Sequence, residues 1–248
     1  MLETKQPFCS KDNQYGIPYL KDPAELPGIC PMRDVNLNTI RSFGRVASAY
    51  DCPSLTGVFQ RLFLFGLVVA KRPKRILELG FKFGGTSLVM LCALQDLGDN
   101  GKLVSLDPCP EPVLDLSQFG NNFYLYRGAS PDDVEDAVQV LGGRIDLCFI
   151  DADHTYDSVL ADLSAVKEYM NKDSYVLMHD ACWPDVKNAV QEFLKRHPHE
   201  IVDCGLIDPT PNEEGWGGMH LLRVVGPTAM STECGDRLAR SARVRCPD

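Results

Sequence analysis

The chain has 248 residues, of which 44% are hydrophobic, enough for one sizeable α/β core with an extension. Its formal net charge of −9 argues against DNA or RNA as a partner, because proteins that bind nucleic acids normally present a basic face. No apolar run is long enough to span a membrane, and the first residues lack the basic start and apolar stretch of a secretory signal.

The ten cysteines are too few for a disulfide scaffold in a chain of this length. None are paired as CxxC, so no zinc site is predicted. Several, such as Cys92 and Cys148, lie within apolar runs. The pattern indicates reduced, buried thiols in a cytoplasmic protein.

Residues 1–53 are predicted to form an N-terminal arm or lid rather than a domain, because the first 33 are rich in Pro, Gly and charge. Residues 34–50 could form one helix. The arm also carries aromatic side chains that could cover an aromatic or sugar substrate: Tyr15, Tyr19 and Tyr50.

The domain proper is predicted over 54–225, with a loose tail at 226–248. A helix over 54–71 follows a Ser54 cap and ends before Pro73. Strands are then expected at 75–80, 102–107, 123–128, 145–151 and 174–180, and helices at 85–97, 131–141, 156–170 and 184–196. Such alternation predicts an α/β fold whose mostly parallel, doubly wound sheet is covered on both faces. Two last strands, within 200–207 and 218–225, are expected to add an antiparallel hairpin at the sheet edge and bring the sheet to seven strands.

A glycine-rich turn, Gly80-Phe-Lys-Phe-Gly84-Gly85, follows the first strand, at the edge where open parallel sheets bind ligands. Its spacing fits the GxGxxG dinucleotide fingerprint poorly. Glu78 would repel a pyrophosphate but suits a ligand that carries positive charge. Asp107, at the end of the second strand, could accept hydrogen bonds from both hydroxyls of a ribose.

Four segments together resemble a known family: "ELGFKFGGTS", "VSLDP", "FIDADHTYDSVLADL" and "VLMHDACWPDVKNAVQEF". They are similar to the class I S-adenosylmethionine-dependent methyltransferases over roughly residues 55–225. Within that class they resemble the small-molecule O-methyltransferases, such as the catechol and caffeoyl-CoA enzymes. The similarity is closer still to a branch with the signature IDxDHxY…HD, which includes enzymes of natural-product tailoring. The resemblance implies a Rossmann-like fold and S-adenosylmethionine as cofactor.

The resemblance also implies a set of cofactor-binding residues. Ala129 stands where relatives often have an acid that meets the adenine, so Ser130 is expected to make that contact instead. The expected cofactor-binding residues are Glu78, Gly80, Phe81, Gly84, Thr86, Ser87, Asp107, Ser130, Asp151 and His154.

Two functional interpretations compete at the ends of the fourth and fifth strands. In the first, Asp151, His179 and Asp180 hold a divalent cation. The two carboxylates suit Mg²⁺, whereas the imidazole would favour Mn²⁺ or Fe²⁺. His154 and Asp153 are alternative third ligands, and Asp153 could instead bind the amino-acid end of the cofactor. In the second interpretation there is no metal, and His154 or His179 acts as the general base.

The expected activity is methyl transfer to a hydroxyl of a small molecule such as a natural product, phenol or sugar. Trp216, in a Gly-rich loop, and Trp183 flank the site in sequence and could close over substrate or simply pack. One alternative is that the same fold and cofactor serve a hydroxylase or cyclase reaction; another is a cofactor-binding protein without turnover. The helix at 54–71 could serve a homo-oligomer interface or the core.

Overall fold

The structure is a computed structural model that describes residues 52–98, 100–209, 211–212 and 214–226. The predicted helix at 34–50, the three tyrosines of the arm (Tyr15, Tyr19 and Tyr50) and the tail after residue 226 lie outside the described residues. Among the described residues, no helix is both long and apolar enough to cross a membrane.

The described part of the chain alternates strands and helices as the sequence predicts. The helices are α1 (Val58–Lys71), α2 (Gly85–Asp96), α3 (Val134–Leu141), α4 (Tyr156–Lys167) and α5 (Pro184–Arg196). The strands are β1 (Arg75–Leu79), β2 (Lys102–Leu106), β3 (Phe123–Tyr126), β4 (Ile145–Ile150), β5 (Met170–His179), β6 (Ile201–Asp208) and β7 (Met219–Val224).

The strands form one seven-stranded sheet in the order β3-β2-β1-β4-β5-β7-β6. Strands β1 to β5 are parallel, whereas β7 runs antiparallel between β5 and β6. The predicted sheet class and its C-terminal hairpin are therefore confirmed, with β6 as the edge strand. The winding reverses between β1 and β4, so the carboxyl ends of these two strands flank the crevice where such sheets bind ligands.

Two apolar cores cover the two faces of the sheet, and the period-two alternation of the strands divides side chains between them. On β1, Ile76 packs on the face covered by α1 and α2, while Leu77 and Leu79 pack on the face covered by α3, α4 and α5. Glu78 lies two residues after Ile76 on the same strand, so the two side chains point to the same face of the sheet. The alternation therefore points its carboxylate toward the α2 side of the sheet.

Two predicted boundaries differ from the structure by four residues. Helix α1 begins at Val58, because Gly57 rather than Ser54 is its N-cap, and the Ser54 hydroxyl instead accepts the Thr56 N–H at 3.1 Å. Strand β5 begins at Met170, inside the predicted fourth helix. A register shift in its pairing with β4, and a positive φ of 64° at Asp173, let this polar first part join the sheet.

The cysteines in apolar runs, Cys92 and Cys148, are buried as predicted. No disulfide joins the cysteines that the structure describes.

Candidate active site

The glycine turn carries the chain from β1 into α2 and brings β1 against the end of β4. Gly80 has a φ of 89°, which favours glycine, and a Cβ at this position would lie 1.9 Å from the backbone oxygen of Asp151. Gly84 has a φ of 88° and is the N-cap of α2. Glycine is therefore required at position 80, where the end of β1 passes close to the end of β4. This close approach places the turn beside Asp151.

Glu78 lies beneath this turn with no exposed surface. Its carboxylate accepts hydrogen bonds from Thr86 Oγ1 at 2.5 Å, from Ser105 Oγ at 2.5 Å and from Ser87 Oγ. Burial raises the pKa of Glu78 to about 7, although the three hydroxyls oppose the rise. The carboxylate thus holds the first turn of α2 onto β1 and β2.

We expect Glu78→Gln to remove a pH dependence of the folding stability. The pKa of this carboxyl is about 7 in the folded protein and an ordinary 4.5 in the unfolded chain. Between pH 4.5 and pH 7, therefore, the carboxyl is protonated in the folded state and ionised in the unfolded state. The wild-type free energy of unfolding should therefore fall by about 3 kcal/mol relative to the variant as the pH rises from 4.5 to 7, at about 1.4 kcal/mol per unit. Urea-induced unfolding at several pH values measures this difference, and parallel profiles would contradict a proton on Glu78.

Asp107, at the end of β2, also supports the glycine turn. One of its carboxylate oxygens accepts the backbone N–H groups of Phe81 and Lys82, both at 2.9 Å, and the other accepts that of Cys109 at 2.7 Å. The Phe81 ring stacks on Phe123, with 6.1 Å between the ring centroids. The acid expected to meet a ribose thus also fixes the conformation of the loop beside it.

A cavity of about 1290 Å³ opens above the carboxyl ends of β1 and β4. The predicted site residues that line it are Gly80, Phe81, Thr86, Asp151, His154, His179 and Asp180. The other predicted cofactor residues, Glu78, Gly84, Ser87, Asp107 and Ser130, lie outside its lining. The structure therefore brings the strand-end acids and histidines together with the glycine turn, and places the remaining predicted residues beneath or beside it.

Two carboxylates and two imidazoles converge on one point of this cavity. His154 Nε2 lies 3.0 Å from Asp180 Oδ2 and 3.5 Å from Asp151 Oδ1. His179 Nδ1 lies 3.2 Å from each of the same two oxygens. Asp153 does not take part, because its carboxylate accepts the Thr155 N–H at 2.9 Å in front of α4. We call Asp151, His154, His179 and Asp180 the Asp–His cluster.

The backbone at Asp180 is strained in a way that aims its side chain. Its φ is 49°, which is uncommon for a residue other than glycine and which aspartate tolerates better than most. Its second oxygen, Oδ1, accepts the backbone N–H of Gly217 at 2.6 Å. Oδ2 is thereby left directed at the two imidazoles.

The charges of the Asp–His cluster shift the pKa values of all its members. Burial lowers the pKa of His154 and His179, but Asp151 and Asp180 outweigh it and raise these pKa values to about 9 and about 10. Burial raises the pKa of Asp151, yet the two histidines bring it down to about 2, and they lower the pKa of Asp180 in the same way. The cluster is therefore a place where positive charge is strongly favoured between two carboxylates.

The donor set fits a divalent cation. The ligand atoms of Asp151, His154 and Asp180 all lie within 4.8 Å of one another. His154 Nε2 and His179 Nδ1 are buried and make no aligned hydrogen bond, although both face the carboxylate oxygens. Two oxygens and two imidazole nitrogens suit Mn²⁺ or Fe²⁺ at least as well as Mg²⁺. The predicted ligand candidates Asp151, His179 and Asp180 therefore lie together with His154, the alternative third ligand.

Sequence reasoning missed Gln60, which contacts His179 of the cluster, and Asp208, which contacts Gln60. Gln60 Oε1 lies 3.0 Å from His179 Nε2, and Gln60 Nε2 donates to Asp208 Oδ2 at 3.0 Å. A polar Gln60 within the apolar stretch of α1 was the one available signal. Both ring nitrogens of His179 are consequently engaged, which disfavours His179 as a general base.

Trp216 closes one side of the cavity. Its ring stacks on Trp183 with 3.9 Å between centroids and an interplanar angle of 2°. It also forms a T-shaped pair with the ring of His154, with 5.2 Å between the centroids. Asn212 Oδ1 accepts the backbone N–H of Trp216 at 2.9 Å, and this hydrogen bond fixes the loop that carries Trp216. The two tryptophans therefore form a flat wall next to the Asp–His cluster.

Comparison with known proteins agrees with this arrangement. Residues 77–181 match the sequence profile of a methyltransferase domain. No curated protein matches the sequence.

Solved structures share the fold at low sequence identity. The O-methyltransferase TomG of Streptomyces achromogenes, which is involved in tomaymycin synthesis and was solved with S-adenosylmethionine, is 18% identical over 79% of this chain and 92% of its own, with a TM-score of 0.55. An O-methyltransferase of Bacillus cereus, solved with S-adenosylhomocysteine, is 15% identical over 77% and 91%, with a TM-score of 0.56. The D160 form of CmcI, solved with Mg and S-adenosylmethionine, is 14% identical over 70% and 74%, with a TM-score of 0.52.

Proposed function

We propose that this chain transfers the methyl group of S-adenosylmethionine to a hydroxyl of a small molecule, because residues 77–181 match a methyltransferase domain and the fold is that of Rossmann-like methyltransferases. The observation that carries the proposal is the Asp–His cluster beside the glycine turn. It combines a negative site for a cationic donor with groups that can position a hydroxyl and remove its proton.

The cofactor is proposed to lie along the glycine turn. Gly80 leaves room for close backbone approach, and Asp151 places a carboxylate next to it, which favours the positive charge of the sulfonium and amino groups. Asp107 and Ser130 are the proposed contacts of the ribose and the adenine. The fold neighbours solved with this cofactor or its demethylated product support the assignment.

A divalent cation is proposed to bind at Asp151, His179 and Asp180. When bound, it would hold the acceptor hydroxyl and lower the pKa of that hydroxyl. The contribution of the chain is geometric, because methyl transfer is an in-line displacement on a donor that is already activated. The strained backbone at Asp180 and the close approach of Gly80 to Asp151 support this role, because they hold the proposed cation ligands beside the glycine turn.

His154 is the proposed general base, because a cation bound between Asp151 and Asp180 would offset the carboxylate charges that raise the pKa of His154 and would leave its imidazole neutral. Its Nε2 faces the carboxylates, with Asp180 Oδ2 at 3.0 Å, which leaves Nδ1 as the nitrogen that can take the hydroxyl proton. A carboxylate on one ring nitrogen orients the imidazole and stabilises the imidazolium that forms. His179 lacks such a nitrogen.

The acceptor is proposed to be a hydroxylated natural product, phenol or sugar. The flat wall of Trp183 and Trp216 lies next to His154, so the ring of an acceptor can pack on the indole of Trp216 while its hydroxyl reaches the cluster. The cavity volume of about 1290 Å³ accommodates a cofactor together with such an acceptor.

The proposal predicts three linked results. Calorimetry should detect binding of S-adenosylmethionine, and a screen of hydroxylated phenols and sugars should yield S-adenosylhomocysteine. Chelation with EDTA should abolish turnover, and Mg²⁺ or Mn²⁺ should restore it. Cofactor binding without product from any acceptor would favour a non-catalytic protein. Turnover that survives complete chelation would remove the cation and leave His154 acting alone.

A further inference from the structure

Helix α1 contacts the Asp–His cluster through Gln60, a residue that lies outside the matched methyltransferase domain. Its side chain is 7% exposed and makes three polar contacts. Its Oε1 accepts the Gly57 N–H at 3.0 Å and lies 3.0 Å from His179 Nε2, while its Nε2 donates to Asp208 Oδ2 at 3.0 Å. Gln60 therefore links the start of α1 and the end of β6 to His179.

These contacts fix which end of the Gln60 amide faces the histidine. If the amide were reversed, its NH₂ group would meet the Gly57 N–H, and its oxygen would meet the carboxylate of Asp208. Both encounters are unfavourable. Oxygen Oε1 is consequently the atom beside His179, and because a carbonyl oxygen only accepts hydrogen bonds, His179 Nε2 carries a proton.

The proton on Nε2 determines what the other ring nitrogen can do. In the neutral imidazole, Nδ1 then has a lone pair, and it faces Asp151 Oδ1 and Asp180 Oδ2 at 3.2 Å each. Nδ1 is buried without an aligned hydrogen bond, and His179 as a whole is 6% exposed. A lone pair and two carboxylate oxygens repel one another unless positive charge lies between them.

We propose that Gln60, held by Gly57 and Asp208, is a positioning residue that fixes the Nε2-protonated tautomer of His179 and so presents Nδ1 as a ligand for the cation. The inference rests on the proposed cation site. It assigns different roles to the two histidines of the cluster, because His179 is fixed as a ligand whereas His154 is left to accept a proton. It also makes the first turn of α1 part of the site, since the Gly57–Gln60 contact is also the N-terminal cap of the helix.

The test uses cation affinity and the tautomer, neither of which requires turnover. Gln60→Leu removes the amide and should weaken binding of Mn²⁺ or Mg²⁺ to the cofactor-free protein by about 10- to 100-fold, as expected when a partner of a ligand is lost. Nitrogen-15 NMR of the histidine rings should show a protonated Nε2 on His179 in the Mg²⁺-loaded wild type. In the variant, that signal should shift toward a mixture of tautomers.

Two further variants separate positioning from general damage. Val69→Gly weakens the same helix far from its first turn, because Val69 is an exposed side chain near the C-terminal end of α1, and should leave cation affinity unchanged. The pair Gln60→Glu with Asp208→Asn exchanges the amide and the acid, which keeps an acceptor beside His179 Nε2 and restores the second hydrogen bond. It should recover most of the affinity lost in Gln60→Glu alone, where two carboxylates meet.

Equal cation affinity in Gln60→Leu and the wild type would overturn the inference while leaving the proposed methyl transfer intact. So would an equal loss in Val69→Gly, or an unprotonated Nε2 in the loaded wild type. A wild type that binds neither cation yet forms S-adenosylhomocysteine would overturn the inference and the cation site together, but not the transfer reaction.

Discussion

Asp180→Asn should lower the rate of methyl transfer by about 10³-fold and abolish measurable binding of the divalent cation. The substitution keeps the shape of the side chain, and the amide oxygen can still accept the Gly217 N–H that orients Asp180. It removes the negative charge that both histidines face and places an amide NH₂ group toward them. The expected 10³-fold fall in rate corresponds to a loss of about 4 kcal/mol of transition-state stabilisation, since each tenfold change in rate is 1.36 kcal/mol.

The matched control is Asp153→Asn, because it removes one charge two residues from Asp151 without touching the cluster. Asp153 accepts hydrogen bonds in front of α4, a role that asparagine fills nearly as well. Single-turnover rates and calorimetry with Mn²⁺ should therefore match the wild type for Asp153→Asn and not for Asp180→Asn. Cation binding that persists in Asp180→Asn would show that the cation does not use this carboxylate.

Much of the site could be predicted because parallel strands end at the same edge of the sheet. Asp151 and Asp180 follow apolar runs that read as neighbouring strands, and the register of β4 with β5 does place them side by side. The glycine turn was recognisable by its place after the first predicted strand. The reason for Gly80 was not, since the backbone oxygen it must avoid belongs to Asp151, 71 residues further along the chain.

The contacts that orient these residues could not be predicted, because each joins side chains that no local pattern relates. Gln60 and Asp208 meet across 148 positions. Glu78 was interpreted as a group facing a cationic ligand, and its strand parity would have directed it toward α2, where three hydroxyls bind it. Sequence periodicity thus gives the strand ends, whereas the polar network between them depends on tertiary packing.

The two histidines of the cluster show why this distinction matters for mechanism. In the sequence, His154 and His179 were equivalent candidates for base or ligand. In the structure, Gln60 engages the second nitrogen of His179. Among the residues that the structure describes, no such amide restrains His154, whose ring meets Trp216 at the cavity wall. A single amide on α1 therefore separates two roles that composition and spacing leave open.

His154→Gln tests this separation directly. We expect single-turnover methyl transfer to fall by about 10²- to 10⁴-fold, the range for loss of a general base. The affinities for S-adenosylmethionine and for Mn²⁺ should change little, because the amide can still donate to Asp180 Oδ2 and because Asp151, His179 and Asp180 remain. If Mn²⁺ affinity instead fell as far as in Asp180→Asn, His154 Nε2 would be a ligand of the cation rather than the oriented end of a base, and the proton would have to leave by another group.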